Sequence, residues 1–292
     1  MANNDILKIA IQGYPGSFHD EAARKFFMGE EALELKPANT FDILAKELSN
    51  QNVDYAVMAI ENSIAGTILQ NYRILRENNF WIVGETYLWI QHNLLVNPHT
   101  KLEDIQKVSS HPMALNQCLD FLNTLPKAAL IEHADTALSA IELAENPNPH
   151  HACIASLKAA ELTGLEVLQE SIETNKNNYT RFFILSRTKQ PSIYHYNKAS
   201  VYLRIPDEKG HLLKVLQAIE SHDINMSKLQ SFPVLGKFRE YFFHLDLEFT
   251  DIKQYQAIRE DLRKLTVEFS ELGVYDRADL RDLILINQLI EQ

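Results

Sequence analysis

Apolar and polar positions follow two rhythms along this chain, and the change falls close to residue 190. A short apolar run at Ile6–Ile11 and the segments Leu33–Lys36 and Val53–Ile60 predict strands, the last nearly continuous in apolar character, as in a parallel sheet covered on both faces. Helical spacing at Phe41–Leu48 falls between them. Ser17-Phe18-His19-Asp20 opens another helix directly after the turn-rich Gln12–Gly16, and Ser17 with Asp20 reads as a capping box. The β-prone run Phe80–Ile90 and the following Gln91–Val96 predict a crossing into a second lobe. There an amphipathic helix starts at Ser109-Ser110-His111-Pro112, strands are expected at Ala129–Glu132, Ala152–Ala155 and Leu165–Glu170, and helices at Asp135–Glu145 and Ser156–Leu162. The run Asn177-Asn178-Tyr179-Thr180-Arg181-Phe182-Phe183-Ile184-Leu185 then turns from polar loop into apolar strand. Alternation puts Tyr179, Arg181 and Phe183 on one face and Thr180, Phe182 and Ile184 on the other.

After a polar linker the order becomes strand, helix, strand, strand, helix, strand between Ala199 and Val274, which is the ferredoxin-like arrangement. A terminal helix is expected over Arg277–Ile290.

Composition narrows the function classes. The chain has 292 residues, is 46% hydrophobic and carries a formal charge of −11, which suits a globular protein of about two domains. No Lys/Arg block favours nucleic acid or an anionic membrane, so an anionic ligand has to be held by local groups. Cys118 and Cys153 are too few for a disulfide framework or a zinc site and read as reduced, buried thiols. His150-His151 on a Pro-rich loop reads as solvent-exposed, and no metal is expected. The first residues lack a basic segment followed by an apolar one, and no apolar run nears the roughly 18 residues that span a bilayer. A cytoplasmic protein is expected.

Candidate chemistry gathers where strands end. The loop before Ser17 offers backbone N–H groups at a helix start, suited to a carboxylate, or is a plain strand-to-helix turn. Glu61-Asn62-Ser63 closes the strand from Val53, the position at which open α/β sheets bind ligands. Ser110, His111 and Gln117 supply donors at a third helix start.

Several of these segments, in this order and spacing, resemble one family. Gly13-Tyr14-Pro15-Gly16-Ser17-Phe18, Ile60-Glu61-Asn62-Ser63 with Gly66, Ser110-His111-Pro112 with Gln117-Cys118, Ala134-Asp135-Thr136-Ala137, Ile154-Ala155-Ser156 and above all Asn178-Tyr179-Thr180-Arg181-Phe182 are similar to the prephenate dehydratases. The region beyond Lys198 resembles the ACT regulatory domain that follows in that family. The resemblance implies an α/β catalytic domain over residues 1–188 with two lobes, like a type II periplasmic binding protein. Lobe one would take about 1–85 and 171–188 and lobe two about 86–170, followed by an α+β ACT domain over 198–276 and a helix over 277–292.

It further implies loss of carbon dioxide and water from prephenate to give phenylpyruvate, in phenylalanine biosynthesis, without metal or organic cofactor. Thr180 is then the catalytic residue, donating to the leaving hydroxyl. Ser17, Asn62, Ser63, Ser110, His111, Gln117, Arg181 and Phe182 are expected at the substrate. Arg181 either reaches a carboxylate or braces the loop, since alternation turns it away from Thr180. Glu61 beside a dianion would be repelled by roughly 4 kcal/mol at 4 Å and effective dielectric 20, so it is expected to be paired, protonated or set back. Gly210, Leu212, Asn225, Met226 and Ser227 are the implied phenylalanine site, between paired domains of a homodimer or homotetramer. Gln230-Ser231-Phe232-Pro233 stands where the family usually has Glu-Ser-Arg-Pro, which removes two charges from that region and leaves open whether feedback control is kept, altered or lost. Arogenate dehydratase, and a non-catalytic solute-binding or amino-acid-sensing protein, are the competing readings.

Overall fold

The structure, a computed structural model, describes residues 6–30, 32–189, 196–234 and 236–279. By backbone contacts the chain divides into two compact units. The first holds the residues up to Asn78 together with Thr86–Ile184, and the second holds Asn79–Glu85 with Leu185–Ala278.

The first part of the chain runs β1 (Leu7–Gln12), α1 (Phe18–Phe26), β2 (Leu33–Ala38), α2 (Phe41–Ser49), β3 (Tyr55–Asn62), β4 (Gly66–Thr67), α3 (Leu69–Asn78) and β5 (Trp81–Trp89). It crosses to β6 (Asn93–Val96), β7 (Lys107–Ser110), α4 (Pro112–Gln117), α5 (Leu119–Leu122), β8 (Ala129–Glu132), α6 (Thr136–Glu145), β9 (His151–Ala155), α7 (Leu157–Thr163) and β10 (Glu166–Gln169), and returns as β11 (Tyr179–Ser186). One sheet has the order β2-β1-β3-β11-β5, with β4 on β3; the other has the order β10-β6-β9-β7-β8. This is the two-lobed α/β arrangement expected from the resemblance.

The strand cores explain the layering. Ala56–Ile60 of β3 is fully buried because helices cover both faces of a sheet in which β1 runs parallel to β2 and β3. In the second sheet, alternate residues serve opposite cores. Leu94, Val96 and Ile154 join Leu115, Cys118 and Leu122 on one side, whereas Leu95, Cys153 and Ala155 join Ala140, Leu143 and Ala159 on the other. The two cysteines therefore lie in separate cores and are both free.

The helix expected from Ser109 is two short helices, interrupted at Cys118, whose φ of −111° and ψ of 16° leave the α region. Strand β7 had no sequence signal because only Val108 of its four residues is apolar.

The Gly13–Gly16 loop of lobe one meets lobe two. Gly16 adopts φ +86°, and a Cβ there would stand 2.8 Å from Ala159 Cα; at Gly13, φ +91°, it would stand 2.5 Å from Asp135 Oδ2. Ser156 Oγ donates to Gly16 O at 2.7 Å across the same seam.

The second unit contains β12 (Lys198–Arg204), α8 (His211–Ser221), β13 (Asn225–Pro233), β14 (Tyr241–Glu248), α9 (Ile252–Leu265) and β15 (Glu268–Tyr275), in an antiparallel sheet of order β13-β14-β12-β15. This is the ferredoxin-like order. Ala199, Val201, Leu203, Leu245 and Leu247 face Val215 and Ile219 of α8 and Ile258 and Leu262 of α9. The terminal helix expected over Arg277–Ile290 falls largely outside the described residues.

Candidate active site

A cavity of about 580 Å³ opens between the two lobes of the first unit. The first turns of α1, α2 and α6 form much of its wall through Ser17–His19, Thr40–Asp42 and Asp135–Thr136, with His111, Met113 and Ala114 added by α4. Helix starts carry unpaired N–H groups and partial positive charge. Among the described residues lining the cavity there is no Lys or Arg. An anion held here is held by peptide dipoles and neutral donors.

Thr180 and Phe182 reach the cavity together from β11, as strand alternation requires. The setting of Thr180 follows from Asn62 at the end of β3. Asn62 Oδ1 accepts from the Ile64 and Ala65 N–H groups at 2.9 and 2.8 Å, an Asx turn that identifies the other end of the amide as nitrogen. Its Nδ2 then donates toward Asn178 Oδ1 at 2.7 Å, Thr180 Oγ1 at 3.0 Å and Tyr179 O at 3.1 Å. Asn62 has no acceptor left for the Thr180 proton. The hydroxyl accepts from Asn62 and is free to donate into the cavity.

The same polarity propagates. Asn178, fully buried, uses its oxygen for Asn62 and so presents Nδ2 to Gln117 Oε1 at 2.9 Å. That oxygen also meets His92 Nε2 at 2.8 Å, which places a ring proton on Nε2. Gln117 is left with its NH2 group, a donor on a residue that lines the cavity. Burial lowers the pKa of His92 and outweighs the opposing effects of Gln117 and Glu173; desolvation likewise lowers that of His111 against Asp135 and Glu132. Neither ring supplies a cation at neutral pH.

His111 caps α4, with Nδ1 accepting from Met113 N at 3.2 Å, and stands at the cavity wall. Ser17 also lines the wall, but its hydroxyl is occupied, accepting from Asp20 N at 3.4 Å and donating to Gln12 O at 3.5 Å. The capping box expected there is displaced by one residue: the Asp20 carboxylate takes the Gly16 N–H at 2.8 Å, because Ser17 N is already bonded to Tyr14 O.

Three residues expected at the substrate lie elsewhere. Arg181 is 2% exposed on the opposite face of β11, where it pairs with Glu61 at 3.2 Å and lies 4.6 Å from the Phe183 ring centroid. It braces the strand, and it also gives Glu61 the counter-charge that its place near an anion site requires. Ser63 joins the end of β3 to the approach of β11, donating to Asn177 O at 2.7 Å and accepting from Tyr179 N at 2.8 Å. Ser110 is fully buried and donates to Ile154 O at 2.6 Å. Phe182 lines the cavity but is 1% exposed and meets the His19 ring edge-on at 5.1 Å. His19, His92 and Asn178 are the members of the constellation that sequence reading did not single out as site residues. Asn178 stood in the motif that carries the family resemblance and His19 in a helix's first turn, but neither position by itself assigned a role.

Residues 9–190 match the family profile described as prephenate dehydratase. The chain belongs to the prephenate dehydratase family. It is 36% identical over 263 residues to the arogenate dehydratase/prephenate dehydratase 2 of Arabidopsis thaliana, covering 85% of this chain and 67% of that protein. A second plant relative is covered over 62% of its length, so the chain spans somewhat under two thirds of some of its relatives.

Among solved structures of the family, the prephenate dehydratase from Arthrobacter aurescens in complex with L-Phe superposes with a TM-score of 0.83 at 25% identity, over 98% of this chain and all of that one. A further solved structure, described as a novel type of quorum quenching acylase, gives a TM-score of 0.82 at 30% identity over 94% and 99% of the two chains.

In the second unit, Asn225 and Met226 line a cavity of about 860 Å³ together with Asn197, Glu248 and Arg277. Gly210, Leu212 and Ser227 are not in its wall. Gly210, with φ +81°, begins α8, and Asn225 follows its far end; eleven helical residues separate them, roughly 16 Å of helix. Among the described residues no helix is long and apolar enough to cross a membrane, and no His/Cys/Asp/Glu group could hold a metal ion.

Proposed function

We propose that this chain converts prephenate to phenylpyruvate. The observation that carries the reading is the Thr180 hydroxyl, turned outward as a donor by Asn62 in a cavity walled by helix starts. In the reaction the ring carboxylate leaves as carbon dioxide, and the electrons of the broken C–C bond enter the ring. The ring C–O bond breaks as aromaticity is gained, and the departing oxygen takes a proton to become water. A threonine hydroxyl is far too weak an acid to supply that proton unaided near neutral pH. Its contribution is a fixed hydrogen bond to an oxygen whose negative charge grows in the transition state, with water completing the transfer. The carboxylates rest against the first turns of α1 and α2 and the NH2 group of Gln117.

An acylase needs an activated nucleophile. Here Thr180 accepts from an amide rather than donating to a base, and Ser17 is a helix cap, which favours the dehydratase reading. Cytoplasmic location goes with that reading.

We assign residues 1–188 to catalysis and 198–276 to an ACT domain. The ferredoxin-like strand order and the phenylalanine-bound relative support an effector role for the latter. Because Gly210 and Leu212 lie at one end of α8 and Asn225–Ser227 beyond the other, the effector site is completed between copies of a homodimer or homotetramer.

Purified protein incubated separately with prephenate and arogenate decides the substrate: phenylpyruvate from the first supports the reading, phenylalanine from the second alone makes the chain an arogenate dehydratase, and neither leaves a binding protein. Phenylalanine should change rate or oligomer size in the same preparation.

A further inference from the structure

His19 has a chemical state fixed by the backbone. Strand β3 runs on beyond Val57, the last residue it pairs with β1, and past that point two side chains complete the hydrogen bonding of the Ala59 peptide. Asn71 Nδ2 donates to Ala59 O at 2.6 Å, and the Ala59 N–H donates to His19 Nε2 at 3.2 Å. A peptide N–H can only donate, so Nε2 is the unprotonated nitrogen and the ring proton sits on Nδ1. The ring is held in place by Phe182, edge-on at 5.1 Å, and by Phe41, tilted at 5.6 Å. All three side chains belong to the wall of the same cavity. The Nδ1–H has no acceptor among the described residues.

We propose that His19 is a substrate-binding residue whose Nδ1–H donates to a carboxylate of the bound substrate, a role that rests on the dehydratase reading. Burial holds its pKa down to about 3, so it is neither a general acid nor a cation at neutral pH. What it offers is a neutral donor beside Thr180 and Phe182, in a wall without Lys or Arg. Its other nitrogen is tied to a strand end, so the donor is fixed in direction before substrate arrives.

Two substitutions separate this role from a structural one. His19→Gln places an acceptor where Nε2 was and keeps the Ala59 bond, but lacks the Nδ1–H. His19→Asn places an amide where Nδ1 was and loses the Ala59 bond. The proposal expects His19→Gln to melt like wild type while KM for prephenate rises about ten- to hundredfold, the loss of one hydrogen bond to a charged group. His19→Asn should melt lower with the smaller change in KM. Wild-type KM in His19→Gln overturns the proposal.

Nitrogen-15 NMR of the histidine-labelled full chain provides an arm independent of turnover. The Nδ1–H tautomer supports the role, the more so with a resonance that shifts on titration with phenylpyruvate, which keeps one of the two carboxylates; the Nε2–H tautomer refutes it. Failure of the dehydratase reading shows separately, as wild-type protein that leaves prephenate unchanged.

Discussion

Replacing Asn62 by Asp changes one NH2 group into an oxygen, and the hydrogen-bond chain dictates how its neighbours respond. The new carboxylate keeps the Ile64 and Ala65 N–H groups, so the turn survives. Its second oxygen faces Asn178 Oδ1, Tyr179 O and Thr180 Oγ1 at 2.7, 3.1 and 3.0 Å, all of which accepted from the amide. Only Thr180 among them has a proton to give, and it now points toward residue 62 and away from the cavity. Loss of one donor aimed at developing negative charge costs about 10²–10³ in kcat, about 3–4 kcal/mol. The added charge also repels a dianion by about 3 kcal/mol per substrate charge at roughly 6 Å and effective dielectric 20, which raises KM. Asn178 can relieve its own clash only by turning over, and Gln117 would then show the cavity its carbonyl.

The assay is steady-state phenylpyruvate formation by Asn62→Asp, Thr180→Val and the double variant, with thermal melts to confirm folding. Because both single changes remove the same donor, the double variant should fall within about threefold of the worse single. Losses that multiply, or an Asn62→Asp enzyme with kcat within tenfold of wild type, would show that Asn62 does not act through Thr180.

Other outcomes stem from burial. Desolvation raises the pKa of Asp135, against the N–H groups of Leu138 and Ala137 and the nearby His111 and His133. Its protonated form is therefore favoured by folding, and that stabilisation, complete below the unfolded pKa, is lost as pH rises through the folded one. Asp135→Asn keeps an oxygen for the Ala137 and Leu138 N–H groups, so its melting temperature should gain on wild type between pH 4 and 7; a constant difference would count against a buried, strained carboxyl. Cys118 and Cys153 are buried with thiol pKa values pushed far up by desolvation. Native protein should resist maleimide at pH 7.5 and take two labels in urea, and rapid labelling of the native chain would place the thiols wrongly.

Alternation along residues 179–184 was enough to separate Thr180 and Phe182 from Arg181, and the charge argument at Glu61 left pairing, protonation or a set-back position open, of which pairing with Arg181 is found. Both rest on local geometry or on sign, which a sequence carries. Ser110 shows where local reading stops: a serine before a helix looks like a cap, but its hydroxyl was claimed by Ile154, 44 residues away. His19 was hidden for the same reason, since its state is set by a strand end 40 residues downstream. The directed chain from Asn62 through Asn178 to Gln117 joins three segments, and no one of them reveals which end of an amide faces the ligand.

The wall built from helix starts has a kinetic corollary. A chain of formal charge −11 repels a doubly negative molecule at long range, and that repulsion is screened by salt, whereas the short-range attraction of oriented N–H groups in an enclosed cleft is hardly screened at all. Added salt should therefore speed the arrival of substrate and leave its residence time nearly unchanged. That is the reverse of an enzyme that draws its anion in with a basic funnel.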